Sequence, residues 1–187
     1  IENKNMQKQS LKNTKVKHSV NVQFTNCSFD SVIFATLSRC KFTGCEFKGC
    51  AFSNDLKNVK FIQCKHHESN FTQIILVDCL FEKTQLSSVI SMATTFDNCR
   101  FIDGEYSSHK TQQCKFLNTH FIRFNIMCST QVENSTFTGC KFDTLTMRQV
   151  SFTDTHFKNC ALTSVNQTQS SLLRCEFPYT SLYRCSL

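Results

Sequence analysis

Phenylalanine, or another large apolar residue, recurs every five residues along most of this chain. From Phe137 the series runs Phe137, Phe142, Met147, Phe152, Phe157 and Leu162, then Leu172, Phe177, Leu182 and Leu187. An earlier register reads Phe61, Phe71, Leu76, Phe81, Leu86, Phe96, Phe101, Tyr106, Phe116, Phe121 and Ile126. Before it stand Phe24, Phe29, Phe34 and then Phe42, Phe47, Phe52. Of 19 Phe residues, 18 hold this position and Phe124 does not. A helix repeats its buried face about every 3.6 residues and a strand about every 2, so neither yields this period.

A second fixed position lies two residues before the first and holds Cys, Thr, Ser or Val. It takes 12 of the 13 cysteines, leaving Cys128 over. The unit is small–x–Phe–x–polar, as in Cys40-Lys41-Phe42-Thr43-Gly44. Its last position favours Asn, Gly, Asp and Ser, residues that accept turns. Only four Gly and one Pro occur in 187 residues, so the corners of this backbone need neither. With 40% hydrophobic and 19% charged residues, the chain can build a core. No apolar run approaches the ~20 residues that span a bilayer. The chain starts at Ile1, shows no signal peptide, and reads as an excised or processed segment.

The motif resembles the pentapeptide-repeat family over roughly residues 22–187. The resemblance implies an all-β fold, a right-handed, four-sided parallel β-helix with one pentad per side and twenty residues per coil. The central residue and the one two before it would point inward. A four-fold grouping also emerges from the residues. Steps of about twenty align Phe42, Phe61, Phe81, Phe101, Phe121, Phe142, Leu162 and Leu182, and in a neighbouring column Leu56, Leu76, Phe96, Phe116, Phe137, Phe157 and Phe177. About eight coils at ~4.8 Å spacing predict a rod ~40 Å long. Residues 1–21 lack the repeat and alternate Lys4, Lys8, Lys12, Lys15 and Lys17 with Asn and Gln, which predicts a basic linker or a capping helix.

The cysteines read as small buried side chains beside large ones. Their spacing contains no CxxC pair, so zinc is not expected, and stacked thiols stand wider apart than a disulfide's ~3.8 Å Cβ separation. Buried free thiols point to a reducing compartment, cytoplasmic or a host cytosol. Sequons at Asn26, Asn70, Asn134 and Asn166 favour a lumenal or extracellular setting instead.

Three departures from the repeat fall on one face. Ser91 and Thr111 stand where Phe is expected, and 127–136 carries one extra residue. They predict a stack of bulges or loops containing Met92, His109, Lys110, Cys128 and Gln131. Cys128 with His109 is a candidate nucleophile–base pair, and a tolerated bulge with a stray thiol is the simpler reading. His66 occupies a central position with Cys64 two before it, and no further metal ligands accompany it.

Another face carries an outward row of Lys41, Lys60, Arg100, His120 and Lys141. Beside it run Ile62, Ile102 and Ile122, with Leu80 nearby. Apolar residues rimmed by cations are a candidate protein-contact surface. No nucleotide, metalloprotease or hydrolase motif is present, so no cofactor is expected and the chain reads as non-catalytic. The leading expectation is a protein-interaction scaffold, similar to the substrate- or host-protein-binding β-helix segments of larger bacterial effectors. A second is a gyrase-interacting mimic of DNA, which a net charge of +7 opposes. A third is a lumenal or extracellular receptor domain similar to that of synaptic vesicle glycoproteins. Nucleic acid is an unlikely partner. Leu187 finishes in phase, which predicts an end-to-end homodimer or a further domain covering the last coil.

Overall fold

The computed structural model describes residues 2–186. They form an all-β, right-handed parallel solenoid of about nine coils, and no helix occurs among them. Each side of a coil is a strand of about three residues whose middle residue points inward. Both aromatic columns follow the expected register. Phe42 pairs with Phe61, then Phe81, Phe101, Phe121, Phe142, Leu162 and Leu182 along the first face. Ring centroids from Phe42 to Phe142 lie 5.2, 5.0, 4.7, 4.9 and 5.1 Å apart, nearly parallel. On the fourth face Leu56 pairs with Leu76, then Phe96, Phe116, Phe137 and Phe157, and Phe157 stacks on Phe177. The rings are offset within a densely packed interior, a geometry that aromatic pairs favour.

Residues 5–20 are neither linker nor helix. Strands Asn5–Gln7, Ser10–Lys12 and Lys15–Val20 make a first coil whose Met6, Leu11 and Val16 pair with Phe24, Phe29 and Phe34 of the next. These three residues keep the five-residue spacing without its Phe, and this adds a coil to the eight expected. Leu187, the residue expected to close the last register, lies outside the described residues.

Corners are left-handed. The residue two after most central ones has φ near +50°, as at Asn26, Asp78, Asn98, Gln113 and Thr144. Asn and Asp tolerate this region best after Gly, which explains how the chain turns with so little Gly. Coil length varies by omitting or adding corners. The step is 18 residues from Phe24 to Phe42, because strand Ile33–Ser38 runs through the third and fourth faces without a left-handed residue. It is 19 from Phe42 to Phe61, where Asp55 Oδ1 accepts the Ile75 backbone N–H at 2.9 Å. From Phe61 to Phe121 it is 20, and from Phe121 to Phe142 it is 21.

Candidate functional site

The first face carries the candidate surface. Its outward residues form two rows, one before and one after the inward ladder. The leading row places Lys41, Lys60, Leu80, Arg100, His120 and Lys141 in direct register on successive coils. The trailing row places Thr43, Ile62, Glu82, Ile102, Ile122 and Asp143 beside them. All nine residues expected to contact a partner therefore share one flat strip. Lys41, Lys60, Arg100 and Lys141 are exposed, while Ile62, Leu80, Ile102, His120 and Ile122 are half-buried by their neighbours. Partial burial lowers the His120 pKa, and the charges of Lys141 and Arg100 lower it further, so this imidazole is held towards its neutral form. Along the adjoining corner, Arg123 Nε and Nη2 donate to both carboxylate oxygens of Asp103 at 2.6 and 3.1 Å. That bidentate pair holds the Asp103 carboxyl below its usual range. The fifth coil inverts the strip, with Leu80 in the cationic row and Glu82 in the apolar one.

The irregular face differs from expectation. Strands Ile90–Met92 and Lys110–Gln112 pair without interruption, Ser91 on Thr111, so Met92 and Lys110 lie on a regular ladder rather than a loop. Only the extra residue makes a bulge, between Met127 and Thr130, with Cys128 and Ser129 both left-handed. Gln131 returns to register opposite Lys110. The third face keeps its geometry because the missing Phe volume is supplied from elsewhere. His109 turns inward and stacks on Tyr106 at 4.4 Å, and Phe124 meets Tyr106 edge-on at 5.0 Å. Phe124 sits in the slot usually held by Cys or Thr. Gly104, one coil below, opens the space, because a Cβ there would lie 2.6 Å from both Phe124 Cε2 and the Thr84 carbonyl oxygen. Ser91, Thr111, His109, Gly104 and Phe124 are thus one volume exchange within a close-packed interior.

That exchange separates Cys128 from His109. Cys128 is exposed at the bulge, whereas His109 is buried with its Nδ1 unpartnered and its pKa driven by burial to about 3. One faces solvent and the other the core, so they do not form a nucleophile–base pair. His66 is also fully buried, stacked on Phe47 at 4.3 Å, with both nitrogens unpartnered and a pKa lowered by burial to about 3. Its surroundings are Phe52, Phe61 and Phe71 rings. Among the described residues no three His, Cys, Asp or Glu side chains gather as metal ligands.

The polar side chains of the cysteine slot make a contact that composition does not reveal. Every cysteine is a free thiol. Cys40, Cys45, Cys99 and Cys140 each donate to a carbonyl one coil below, at 3.3, 3.4, 3.4 and 3.2 Å. Thr84 and Thr119 do the same at 3.0 and 3.1 Å. Cys and Thr in the slot commonly donate in this way, while Val22, Val32, Val59, Val89 and Val165 fill the same slot without a donor, so small volume is what most of its occupants share. Burial pushes the Cys114 thiol up to about 11, leaving it neutral and unreactive at physiological pH.

Beside the bulge, Ser129, Gln131, Gln149, Ser151, Gln169 and Ser171 line a shallow uncharged groove of about 350 Å³. It lies on a different edge of the rod from the cationic strip and contains no acid, base or nucleophile set.

No family model matches the chain, and no curated protein matches it. Solved structures do match. A trypsin-treated variant of QnrB1, a plasmid-mediated fluoroquinolone resistance protein, is 17% identical over 90% of each chain with a TM-score of 0.43. HetL, a pentapeptide-repeat protein involved in heterocyst differentiation regulation from the cyanobacterium Nostoc sp. strain PCC 7120, is 13% identical. It covers 94% of this chain and 87% of its own, with a TM-score of 0.36. A double mutant of the periplasmic alginate epimerase AlgG is 7% identical over 90% of this chain and 51% of its own, with a TM-score of 0.50. Pentapeptide-repeat proteins stand among these structural neighbours, and the chain's own strands build a parallel β-solenoid on a five-residue repeat.

Proposed function

We propose that this solenoid is a non-catalytic protein-interaction scaffold whose partner docks on the first face. The observation that carries this reading is the strip itself: four exposed cations in register beside a row of half-buried isoleucines, on a sheet that pairs without a break. Its chemistry suits an acidic protein surface with apolar residues among the carboxylates. The isoleucines supply apolar area, and the lysines and arginine supply orientation and association rate. The strip measures ~24 Å along the axis by ~15 Å across, from five coil steps and a five-residue side. That is less than the ~800 Å² per partner of a standard interface, so the contact belongs to the transient class. A DNA-mimicking role calls for a negative rod, and the cationic strip opposes it. In its finer form, as the host-protein-binding segment of a larger effector-like protein, the proposal uses this same surface.

The test is capture of partners with the wild-type segment and with a Lys60→Glu/Arg100→Glu/Lys141→Glu variant. All three residues are exposed and outside the ladder, so the variant is expected to melt as the wild type does. Specific partners retained by the wild type are expected to be lost by the variant. Equal retention of every partner would overturn the assignment of the first face.

A further inference from the structure

The strip has a spatial period, and the period selects the shape of the partner. We infer that the first face receives an acidic amphipathic α-helix lying along the solenoid axis; this rests on the interaction reading above and names the occupant. Successive coils present a new side chain every ~4.8 Å. A helix presents one about every 5.4 Å turn at positions i, i+4, i+7 and i+11. The two spacings drift apart by ~0.6 Å per turn, so about four turns stay in step before the offset reaches half a coil. An extended strand offers same-side residues every ~6.7 Å and loses step within two coils.

Laterally, the two outward rows lie two residues apart, ~6.7 Å, close to the spacing of neighbouring stripes on a helix surface. One stripe of carboxylates would therefore face Lys41, Lys60, Arg100 and Lys141. The adjacent apolar stripe would face Ile62, Ile102 and Ile122. His120, held towards neutrality, tolerates an apolar or a polar neighbour.

The inversion at the fifth coil supplies register. Leu80 interrupts the cations and Glu82 interrupts the isoleucines, and the two stand level between Lys60–Ile62 and Arg100–Ile102. A fitting helix exchanges its own residues at that one turn, placing an apolar side chain against Leu80 and a lysine against Glu82. A helix slid by one turn would set its lysine against an isoleucine, a leucine against Glu82 and a carboxylate against Leu80. The inverted coil, set between Lys60–Ile62 and Arg100–Ile102, thereby favours one axial position over its neighbours, which identical coils alone cannot do.

Binding of fluorescent, helix-stapled 16-residue peptides to the intact segment, read by anisotropy, tests this. The first peptide carries a Glu stripe and a Leu stripe with the exchange at one turn, and the second lacks the exchange. The third is the first peptide's composition held extended by proline. The first peptide is expected to bind at least tenfold more tightly than the second and third. Lys41→Glu/Lys60→Glu/Arg100→Glu is expected to abolish its binding, and Glu82→Lys to reverse its preference over the second peptide. If the extended peptide binds equally well, the helical occupant is wrong while the acidic-partner reading stands. If the triple charge reversal leaves peptide binding unchanged, both fall. If duplex DNA displaces the peptide and binds more tightly than it, the strip is a phosphate-binding surface and the helix inference is overturned. If neither Glu82→Lys nor loss of the exchange alters affinity, the register role of the fifth coil is refuted.

Discussion

His66 illustrates how the core tolerates a polar ring at a cost that depends on pH. Burial holds His66 and His109 near a pKa of about 3, whereas an exposed histidine titrates near 6.5. The unfolded chain therefore takes up these two protons first. Their neutral packing is undiminished above about pH 6.5. As pH falls from there towards about 3, each costs ~1.4 kcal/mol of stability per unit. Replacing His66 by Leu continues the column to Leu86 at nearly the same volume. Urea midpoints between pH 4 and 7.5 are expected to fall less steeply in His66→Leu than in the wild type. A second residue-scale effect lies at the corners. Thr144 is β-branched yet adopts φ 56°, a region that costs such residues ~1–2 kcal/mol. Thr144→Asn is expected to raise stability by ~0.5–1 kcal/mol in thermal or denaturant unfolding, since Asn suits this conformation and keeps a polar side chain.

At the scale of one coil, substitutions act through the volume exchange around Gly104. A methyl at Gly104 meets a backbone carbonyl and a ring already in contact, so Gly104→Ala is expected to cost ~1–3 kcal/mol of stability by overpacking, with an unchanged denaturant slope. The bulge predicts the opposite. Deleting Cys128 leaves Ile126, Met127, Ser129, Thr130, Gln131 and Val132 in the ordinary pentad order. The shortened chain is expected to fold with stability within ~1 kcal/mol of the parent, as read from its melting curve. These elements also mark what the sequence could reveal. The ladders from Phe42 and from Leu56 were legible because a large side chain every five residues has no other explanation. The first coil was not, because Met6, Leu11 and Val16 keep the spacing without Phe and Lys-rich neighbours suggested a solvated tail. The stack of loops was over-read: Ser91 and Thr111 break the composition of the third face but not its backbone, since Phe124 and His109 fill the space from another slot. The nine residues of the first face were grouped correctly by counting alone. Their inverted fifth coil was visible in Leu80 and Glu82 but acquires meaning only when the rows are seen in register.

Over the whole molecule, stability is carried from coil to coil. Each inward side chain is covered only by the coils before and after it, so the rod behaves as a row of units joined by nearest-neighbour contacts. Phe101 is a mid-rod joint. It stacks on Phe81 at 4.7 Å and on Phe121 at 4.9 Å, and meets Tyr106, Phe96 and Phe124 edge-on. Truncating it removes contacts on both sides of one coil and leaves a cavity, which costs ~3–5 kcal/mol. In a globular domain that loss lowers protection against hydrogen exchange everywhere alike. In a one-dimensional stack the loss is local, because coils three steps away share no contact with position 101. Phe101→Ala is therefore expected to speed amide exchange in the coils from about Phe81 to Phe121 while the amides around Phe29 and Phe47 retain most of their protection. Mass-spectrometric exchange on proteolytic fragments reads this directly. A uniform loss along the rod would show that the coils unfold as a single cooperative unit, and that the surface on the first face is held rigid by the whole solenoid rather than by the coils that bear it.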